Sequence, residues 1–154
     1  MSASHDLAYH LAGLSQGLDA KIAEHFDDVV ITLPAEHLLA AALELRDLGF
    51  DRLGMVTAVD WGDDFEMVYR IMSRSMSSSA FVKTHIGRAE ARIDSLCEVW
   101  PAANWQEREV FDLFGIEFTG HPDLRRILLP DEWPGWPLRK DYEDANVIKR
   151  PDYI

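Results

Sequence analysis

The chain has 154 residues, of which 47% are hydrophobic and 27% are charged, and it carries a formal net charge of −12. This length and balance predict one folded domain with a single core, and they argue against general disorder. The acidic balance argues against binding to nucleic acid or to an anionic membrane surface, because each of these needs a basic protein face.

The first third of the chain predicts two helices with a short strand between them. Apolar residues recur at helical spacing at Leu7, Leu11, Leu14, Leu18 and Ile22. Two glycines weaken this helix and leave open a break before Asp19. Val29 to Leu33 predicts a strand, and a second helix is expected from Pro34 to about Leu48, where Gly49 ends it. The residues on its apolar face are Leu38, Leu39, Ala42 and Leu45.

The start of the chain has no signal-peptide pattern, since Met1 to Asp6 lacks both a cationic patch and an apolar run. The most apolar stretch, Leu38 to Leu45, is interrupted by Glu44. We therefore expect no segment to span a bilayer, and any work at a membrane would require another protein to hold the chain there.

The middle of the chain predicts an antiparallel sheet. Leu53 to Trp61 and Phe65 to Met72 are expected to form a hairpin, and Ala80 to Gly87 a third strand. The residues that share one face of the second strand are apolar: Phe65, Met67, Tyr69 and Ile71. Glu66 and Arg70 lie on the other face. This pattern predicts an α+β fold, in which helices pack on a small mixed, mostly antiparallel sheet.

Two pairs of residues have the three-residue offset of a capping box, Ser95 with Glu98 and Asn104 with Glu107. They predict that short helices begin near both positions. The second helix should cover about Trp105 to Phe114 and end at the glycine that follows it.

Residues 116–154 hold five of the seven prolines and predict little regular structure. They also hold several aromatic residues, namely Phe118, Trp133, Trp136, Tyr142 and Tyr153. Disordered tails are normally poor in aromatic residues. We therefore divide the chain into an α+β domain, residues 1–115, and an extended segment, residues 116–154, that is expected to dock on a partner.

Two basic pairs lie inside this segment, Arg125 with Arg126 and Arg139 with Lys140. Because the chain is otherwise acidic, these pairs favour contact with an acidic partner surface, with solvated surface charge as the alternative.

The sequence offers few candidates for catalysis or metal binding. Gly115 and Gly120 have Walker A spacing, but His121 and Pro122 stand where Lys and Ser or Thr are required, which excludes a phosphate loop. No Gly-x-Gly-x-x-Gly motif follows a strand, so no dinucleotide site is expected. The single cysteine, Cys97, cannot form an internal disulfide and indicates a reducing compartment; we expect it to be a small core residue.

One acid–base or metal site can be imagined from Glu107, Glu109, Asp112 and His121, which would make the chain a small standalone hydrolase. The favoured alternative is structural. In it, Glu107 caps its helix, Arg108 and Asp112 form an i, i+4 ion pair on an exposed or partner-facing side, and His121 is a turn residue.

The residues from Asn104 to Tyr142 carry a long ordered motif. Its first part is Glu107, Arg108, Glu109, Asp112, Phe114, Gly115, Ile116, Gly120, His121, Pro122, Leu124, Arg125, Arg126, Ile127 and Leu128. Its second part is Pro130, Asp131, Trp133, Gly135, Trp136, Pro137, Leu138, Arg139, Lys140, Asp141 and Tyr142. This motif resembles the signature of the 30-kDa subunit of complex I, respiratory NADH:quinone oxidoreductase, which is also known as the C-type subunit in bacteria and the J-type subunit in the photosynthetic version.

The resemblance implies a structural subunit that itself holds no flavin, iron–sulfur cluster or metal. It would dock on the 49-kDa subunit of the peripheral arm, next to the cluster-bearing subunit of the quinone site. Iron–sulfur clusters, FMN and quinone are then expected in partner subunits, and the chain on the cytoplasmic side of the cell membrane. Because the same family serves membrane-bound hydrogenases and ferredoxin-dependent complexes, the electron donor stays open.

The resemblance also implies a partner interface, with no catalytic, cofactor-binding or metal-binding residue in this chain. The residues expected at that interface are Glu107, Arg108, Glu109, Asp112, His121, Arg125, Arg126, Trp133, Trp136, Arg139, Lys140, Asp141 and Tyr142.

Overall fold

The computed structural model describes residue 11, residue 13, residues 15–25 and residues 28–145. Its main sheet has five strands in the order β1-β2-β5-β4-β3. These are β1 Lys21–His25, β2 Asp28–Thr32, β3 Arg52–Asp60, β4 Asp64–Ser73 and β5 Ser78–Gly87. Neighbouring strands are antiparallel except β2 and β5, which are parallel. The α+β fold with a mixed, mostly antiparallel sheet is thereby confirmed.

Short elements complete the described residues. The helices are α1 Ser15–Leu18, α2 Leu38–Asp47 and α3 Ala103–Phe114, and a 3-10 turn, Ala35–His37, precedes α2. A second, two-stranded parallel sheet joins β6 Arg92–Asp94 to β7 Glu117–Thr119.

The core lies on one face of the main sheet. The predicted inward residues of β4, Phe65, Met67, Tyr69 and Ile71, are fully buried. The α2 side chains of Leu38, Ala42 and Leu45 are buried with them, as the apolar spacing of that helix predicts. The helix α3 lies beside β3, an edge strand, and the Gln106 side chain accepts a hydrogen bond from the Val56 amide at 2.7 Å. This contact covers part of an edge that would otherwise be open.

The predicted N-terminal helix is wrong at Ile22, which lies in β1 and pairs with Ile31 of β2. Asp19 has a left-handed backbone, with φ of 50°, and this conformation separates α1 from the strand. Leu11 and Leu18 are buried as expected. Leu7 and Leu14 lie outside the described residues.

The prediction of a helix near Ser95 is also wrong. Residues 97–99 form a turn, and the Ser95 hydroxyl donates to the Glu107 carboxylate at 2.6 Å instead of starting a helix. The predicted helix after Asn104 exists as α3, and it ends at Gly115 in the left-handed conformation that the sequence predicts.

The expectation that residues 116–154 lack regular structure is wrong at its start, because Glu117–Thr119 forms β7 and pairs with β6. Residues 120–145, called the C-terminal segment below, contain no helix or strand among the residues that the structure describes. Tyr153 lies beyond that part of the chain.

Candidate functional site

The thirteen residues expected at a partner interface lie on α3 and on the C-terminal segment, and they differ widely in exposure. Glu107, Arg108 and Asp112 are buried. The exposed members are Glu109, Arg125, Lys140 and Asp141. The members of intermediate exposure are His121, Arg126, Trp133, Trp136, Arg139 and Tyr142. Glu107 and Asp112, with no exposed surface, offer nothing to a partner in this conformation.

Asp112 fixes the first part of the C-terminal segment. One oxygen of its carboxylate accepts hydrogen bonds from the amides of Ile127, Leu128 and Leu129, at 3.1, 2.7 and 2.9 Å. The other oxygen pairs with the Arg126 guanidinium at 2.8 Å. Burial alone would raise the pKa of Asp112, but these bonds outweigh it and hold the pKa below its ordinary value. The carboxylate is therefore a charged anchor for the loop.

Arg108 lies beside this anchor and has other partners. Its guanidinium donates to the backbone carbonyls of Arg125 and Arg126, at 3.2 and 3.1 Å, and lies 5.9 Å from the ring centre of Trp105. The predicted ion pair between Arg108 and Asp112 is therefore wrong, because the cation that neutralises Asp112 comes from the segment and not from the preceding turn of α3.

The second part of the C-terminal segment packs on the end of α3. The Arg139 guanidinium donates to the carbonyls of Phe114 and Gly115, at 2.5 and 3.4 Å, and so satisfies free acceptors at the helix C-terminus. It also lies 4.3 Å from the ring centre of Trp136. The Trp136 ring packs directly over Gly115, where a Cβ atom would lie only 2.3 Å from the ring.

Asp60, at the end of β3, holds the far end of the segment. Its carboxylate accepts hydrogen bonds from the Lys140 amide at 2.8 Å, the Gly62 amide at 2.8 Å and the Arg88 guanidinium at 2.7 Å. Arg88 also pairs with Asp141. Burial alone would raise the pKa of Asp60, but the bonds from Arg88, Lys140 and Gly62 outweigh it and lower the pKa to about 2.

Sequence reasoning missed Asp60 and Arg88. Asp60 lies 80 residues before Lys140 and Arg88 lies 53 residues before Asp141, so no local spacing relates them. Together with Asp112 and Arg139 they show that the segment is ordered against its own domain. Residues 120–145 therefore have ordering contacts within their own domain, and the expected docking of the segment on a partner stays a prediction.

Glu107 occupies a buried polar cluster on the inner side of α3. Its carboxylate accepts hydrogen bonds from the Ser95 hydroxyl at 2.6 Å, the Leu96 amide at 2.7 Å and the Cys97 thiol at 3.4 Å. Burial raises the pKa of Glu107 above its ordinary value, although the bonds from Ser95 and Leu96 work in the opposite direction. The prediction that Glu107 caps α3 is wrong, because the carboxylate instead supports the loop after β6.

Cys97, Glu107 and His121 offer ligand atoms within 4.8 Å of one another, a grouping that the sequence analysis did not foresee. Their hydrogen bonds are nevertheless satisfied within the protein. The Nδ1 atom of His121 accepts from the Asp123 amide at 3.0 Å, so Nε2 carries the proton and donates to the Asn104 carbonyl at 2.9 Å. Burial raises the pKa of the Cys97 thiol to about 11, which keeps it protonated. Each of the three side chains thus has hydrogen-bond partners within the protein.

Of the four residues of the hydrolase hypothesis, Glu107 and His121 approach one another, in the cluster with Cys97, but Glu109 and Asp112 do not join them. Glu109 is exposed, Asp112 is committed to the loop amides, and both ring nitrogens of His121 are hydrogen-bonded to the backbone. The arrangement holds the C-terminal segment on α3, and it leaves no poised acid–base pair among these four residues.

The fold and these contacts define a class of protein: a small α+β domain with a long irregular segment that packs across the helix α3. Residues 31–146 match the model of the family described as respiratory-chain NADH dehydrogenase, 30 Kd subunit. The chain belongs to this family, and the resemblance found in its sequence is confirmed.

Two relatives show how far the likeness extends. The C-type subunit of NADH-quinone oxidoreductase from Moorella thermoacetica is 46% identical over 127 residues, covering 80% of this chain and 86% of the relative. The C/D-type subunit of NADH-quinone oxidoreductase from Phocaeicola vulgatus is 39% identical over 118 residues, which is 75% of this chain but only 23% of that relative.

Two solved structures share the fold. The trypsin-resistant fragment of Nqo5 has a TM-score of 0.68 and 25% identity, and the match covers 79% of this chain and 99% of the fragment. A chain of the membrane-bound sulfane sulfur reductase, an archaeal respiratory membrane complex, has a TM-score of 0.78 and 23% identity, covering 97% and 95%. Among the described residues, no helix is both long and apolar enough to cross a membrane.

Proposed function

We propose that this chain is a structural subunit of the peripheral arm of a proton-pumping NADH:quinone oxidoreductase, and that it docks on the 49-kDa-like subunit and supports electron transfer to quinone. The observation that carries the proposal is membership of the 30 Kd subunit family over residues 31–146. The chain contributes no catalytic group of its own. FMN, iron–sulfur clusters and quinone belong to its partner subunits, including the cluster-bearing neighbour at the quinone site.

The identity of the docking partner is supported by the fused relative. The designation C/D joins two subunit types in a single chain, of which the part similar to this chain makes up about a quarter. Fusion keeps two domains at high effective concentration, and it is tolerated when the domains already work side by side. The D-type protein is therefore the partner that we assign to this chain, and it is the 49-kDa-like subunit of the proposal.

The internal bonding of the signature residues supports a structural role. The charged groups of Asp112, Arg126 and Arg139 are hydrogen-bonded to backbone groups, and Asp112 also pairs with Arg126. These residues therefore fix the shape of the surface. Attachment to the cytoplasmic side of the membrane then comes through the partner subunits, since the chain's charge of −12 disfavours direct contact with anionic lipid.

A second candidate is the equivalent scaffold subunit of a membrane-bound hydrogenase or of a ferredoxin-dependent complex. The specific observation in its favour is that the same fold occurs in a respiratory complex of another kind, the sulfane sulfur reductase. The two candidates share the docking role and differ in the electron donor.

The test is purification of the full-length tagged chain from detergent-solubilised membranes, with mass spectrometry of the proteins that accompany it. We expect a 49-kDa-like protein together with flavin- and NADH-binding subunits, and loss of NADH:quinone activity when the gene is deleted. Hydrogenase or ferredoxin-dependent subunits in their place would select the second candidate. Recovery of a free monomer from every fraction would refute both.

A further inference from the structure

Most of the exposed large apolar side chains belong to the end of β3, to α3 or to the C-terminal segment, and β3 is hydrogen-bonded to both of the others. Among the described residues, eight such side chains are exposed. Five of them lie at the end of β3, on α3 or on the C-terminal segment: Val59, Trp61, Trp105, Leu128 and Leu138. Single exposed apolar residues are ordinary, but a concentration of them on elements that contact one another is typical of a binding surface.

Trp105 and Leu128 are the most exposed of the five, at 68% and 62%. Both are positioned by contacts between α3 and the loop formed by residues 125–129. Arg108 lies against the Trp105 ring and donates to the carbonyls of residues 125 and 126, while the Leu128 amide donates to Asp112, one helical turn further along α3. The Arg125 side chain is exposed, and its carbonyl is one of the two that Arg108 binds. We call Trp105, Arg125 and Leu128 the Trp105 patch.

The backbone beneath this patch is unusually well fixed for an irregular segment. Three consecutive amides bond to Asp112, and Arg126 bonds to the same carboxylate and to the carbonyls of Trp133 and Gly135. A surface that is already ordered loses little conformational entropy when it binds, and exposed Trp and Arg residues are the side chains that most often dominate binding energy.

We infer that the Trp105 patch is the centre of the surface on which the D-type protein docks, with Trp105 and Leu128 entering an apolar cleft of that protein. This inference rests on the proposed function, since the fused C/D-type relative supplies the identity of the occupant. A second copy of this chain is a poorer occupant, because two chains that each carry −12 repel one another.

The Arg125 side chain adds a charged contact at the edge of the cleft. Its present partner, Asp123, is exposed and pairs with it at 2.8 Å. An exposed pair of this kind contributes little to stability, so Arg125 can exchange Asp123 for a carboxylate of the partner without much loss. The patch thus fits an apolar cleft with an acidic rim.

The experiment measures the affinity of the full-length chain for the purified D-type protein of the same organism, by biolayer interferometry. The test variants are Trp105→Ala and Leu128→Ser, and the control is Leu43→Ser on α2, which removes an apolar side chain that is 51% exposed and lies away from the patch. We expect each test variant to weaken binding by about ten-fold or more, and the control to change it by less than about two-fold. Melting temperatures confirm that all variants remain folded.

Unchanged affinity for both test variants would overturn the inference while leaving the proposed function intact, and so would equal weakening by the control. If the unaltered chain fails to bind the D-type protein, the proposed function itself fails and the inference falls with it. If Trp105→Ala lowers the melting temperature, Leu128→Ser decides the matter alone, because that change removes only an exposed side chain.

Discussion

At the scale of single residues, Asp60 stabilises the fold through charge. Its pKa is about 2 in the folded chain against an ordinary 3.8, so its contribution is complete above about pH 4 and is lost as the pH falls toward 2. The shift corresponds to about 2 kcal/mol. We expect Asp60→Asn to lower the free energy of unfolding by about this amount at pH 7, and by much less near pH 2.5, in urea titrations. A difference that does not depend on pH would contradict this role.

The pKa shift of Glu107 has the opposite sign to that of Asp60. Burial raises the pKa of Glu107 in the folded chain. The contribution of Glu107 to the free energy of unfolding is therefore largest below the ordinary pKa of 4.5, and it falls as the pH rises through the folded pKa. Glu107→Gln should therefore gain stability relative to the unaltered chain as the pH rises. Glu107→Ala should lose roughly 2 kcal/mol at the acid end of the range, since it leaves the Ser95 hydroxyl and Leu96 amide buried without an acceptor. The loss should become smaller as the pH rises, because this variant also removes the titrating group. Thermal unfolding between pH 4 and 8 measures both, and identical pH profiles for the Gln variant and the unaltered chain would exclude a titrating Glu107.

At the scale of elements, the sequence predicts best those parts whose burial follows a regular period. The strands β3, β4 and β5 and the helix α2 have long alternating or helical patterns, and apart from the start of α2 the structure places them within two residues of the predicted limits. Only one residue of β1 is partly buried. Its sequence therefore has no alternation of apolar and polar residues that would predict a strand. The strands β6 and β7 have three residues each, which is too short for a period.

The contacts of the site were the least predictable part. Capping and i, i+4 rules assign Glu107 and Arg108 to partners on their own helix, whereas the structure gives them hydrogen-bond partners 10 to 18 residues away. Local sequence rules compete with tertiary contacts. In a buried position, the partner of a charged group is determined by the tertiary structure and not by the spacing of residues along the helix. Asp60 and Arg88 were missed, but Asp112, Arg126 and Arg139, which also hold the C-terminal segment, are named by the sequence because the family motif includes them whatever they contact.

Gly115 ends α3 and lies under the Trp136 ring of the C-terminal segment. A substitution at Gly115 therefore tests how tightly the segment packs on α3. Gly115→Ala adds both left-handed backbone strain, at φ of 68°, and a clash with the Trp136 ring, which together should lower the free energy of unfolding by about 3 kcal/mol. The matched control is Gly120→Ala. There φ is 82° but the added Cβ meets nothing within 4 Å, so only the backbone strain remains, about 1 to 2 kcal/mol. Equal losses in urea unfolding would show that Trp136 does not pack on Gly115.

At the scale of the whole molecule, the C-terminal segment has an inner side that packs on the domain and an outer side that is exposed. Its inner side, with Trp136 and Arg139, closes the end of α3 and reaches Asp60 on the sheet. Its outer side, with Arg125 and Leu128, remains exposed. This division accounts for a segment that is rich in prolines and aromatic residues yet ordered, because the inner contacts hold the outer surface in one shape before any partner arrives.

Deletion of residues 130–154 distinguishes this arrangement from a segment that is ordered only by its partner. The deletion removes the Trp136 packing and the Lys140 amide that bonds to Asp60, so the free chain should keep the circular dichroism of its sheet but lose about 3 kcal/mol in urea unfolding. It retains Asp112 with the amides of residues 127–129, and hence the Trp105 patch. Binding to the D-type protein should therefore weaken less than in Trp105→Ala. An unchanged unfolding free energy, combined with complete loss of binding, would instead mean that residues 130–154 serve the partner alone.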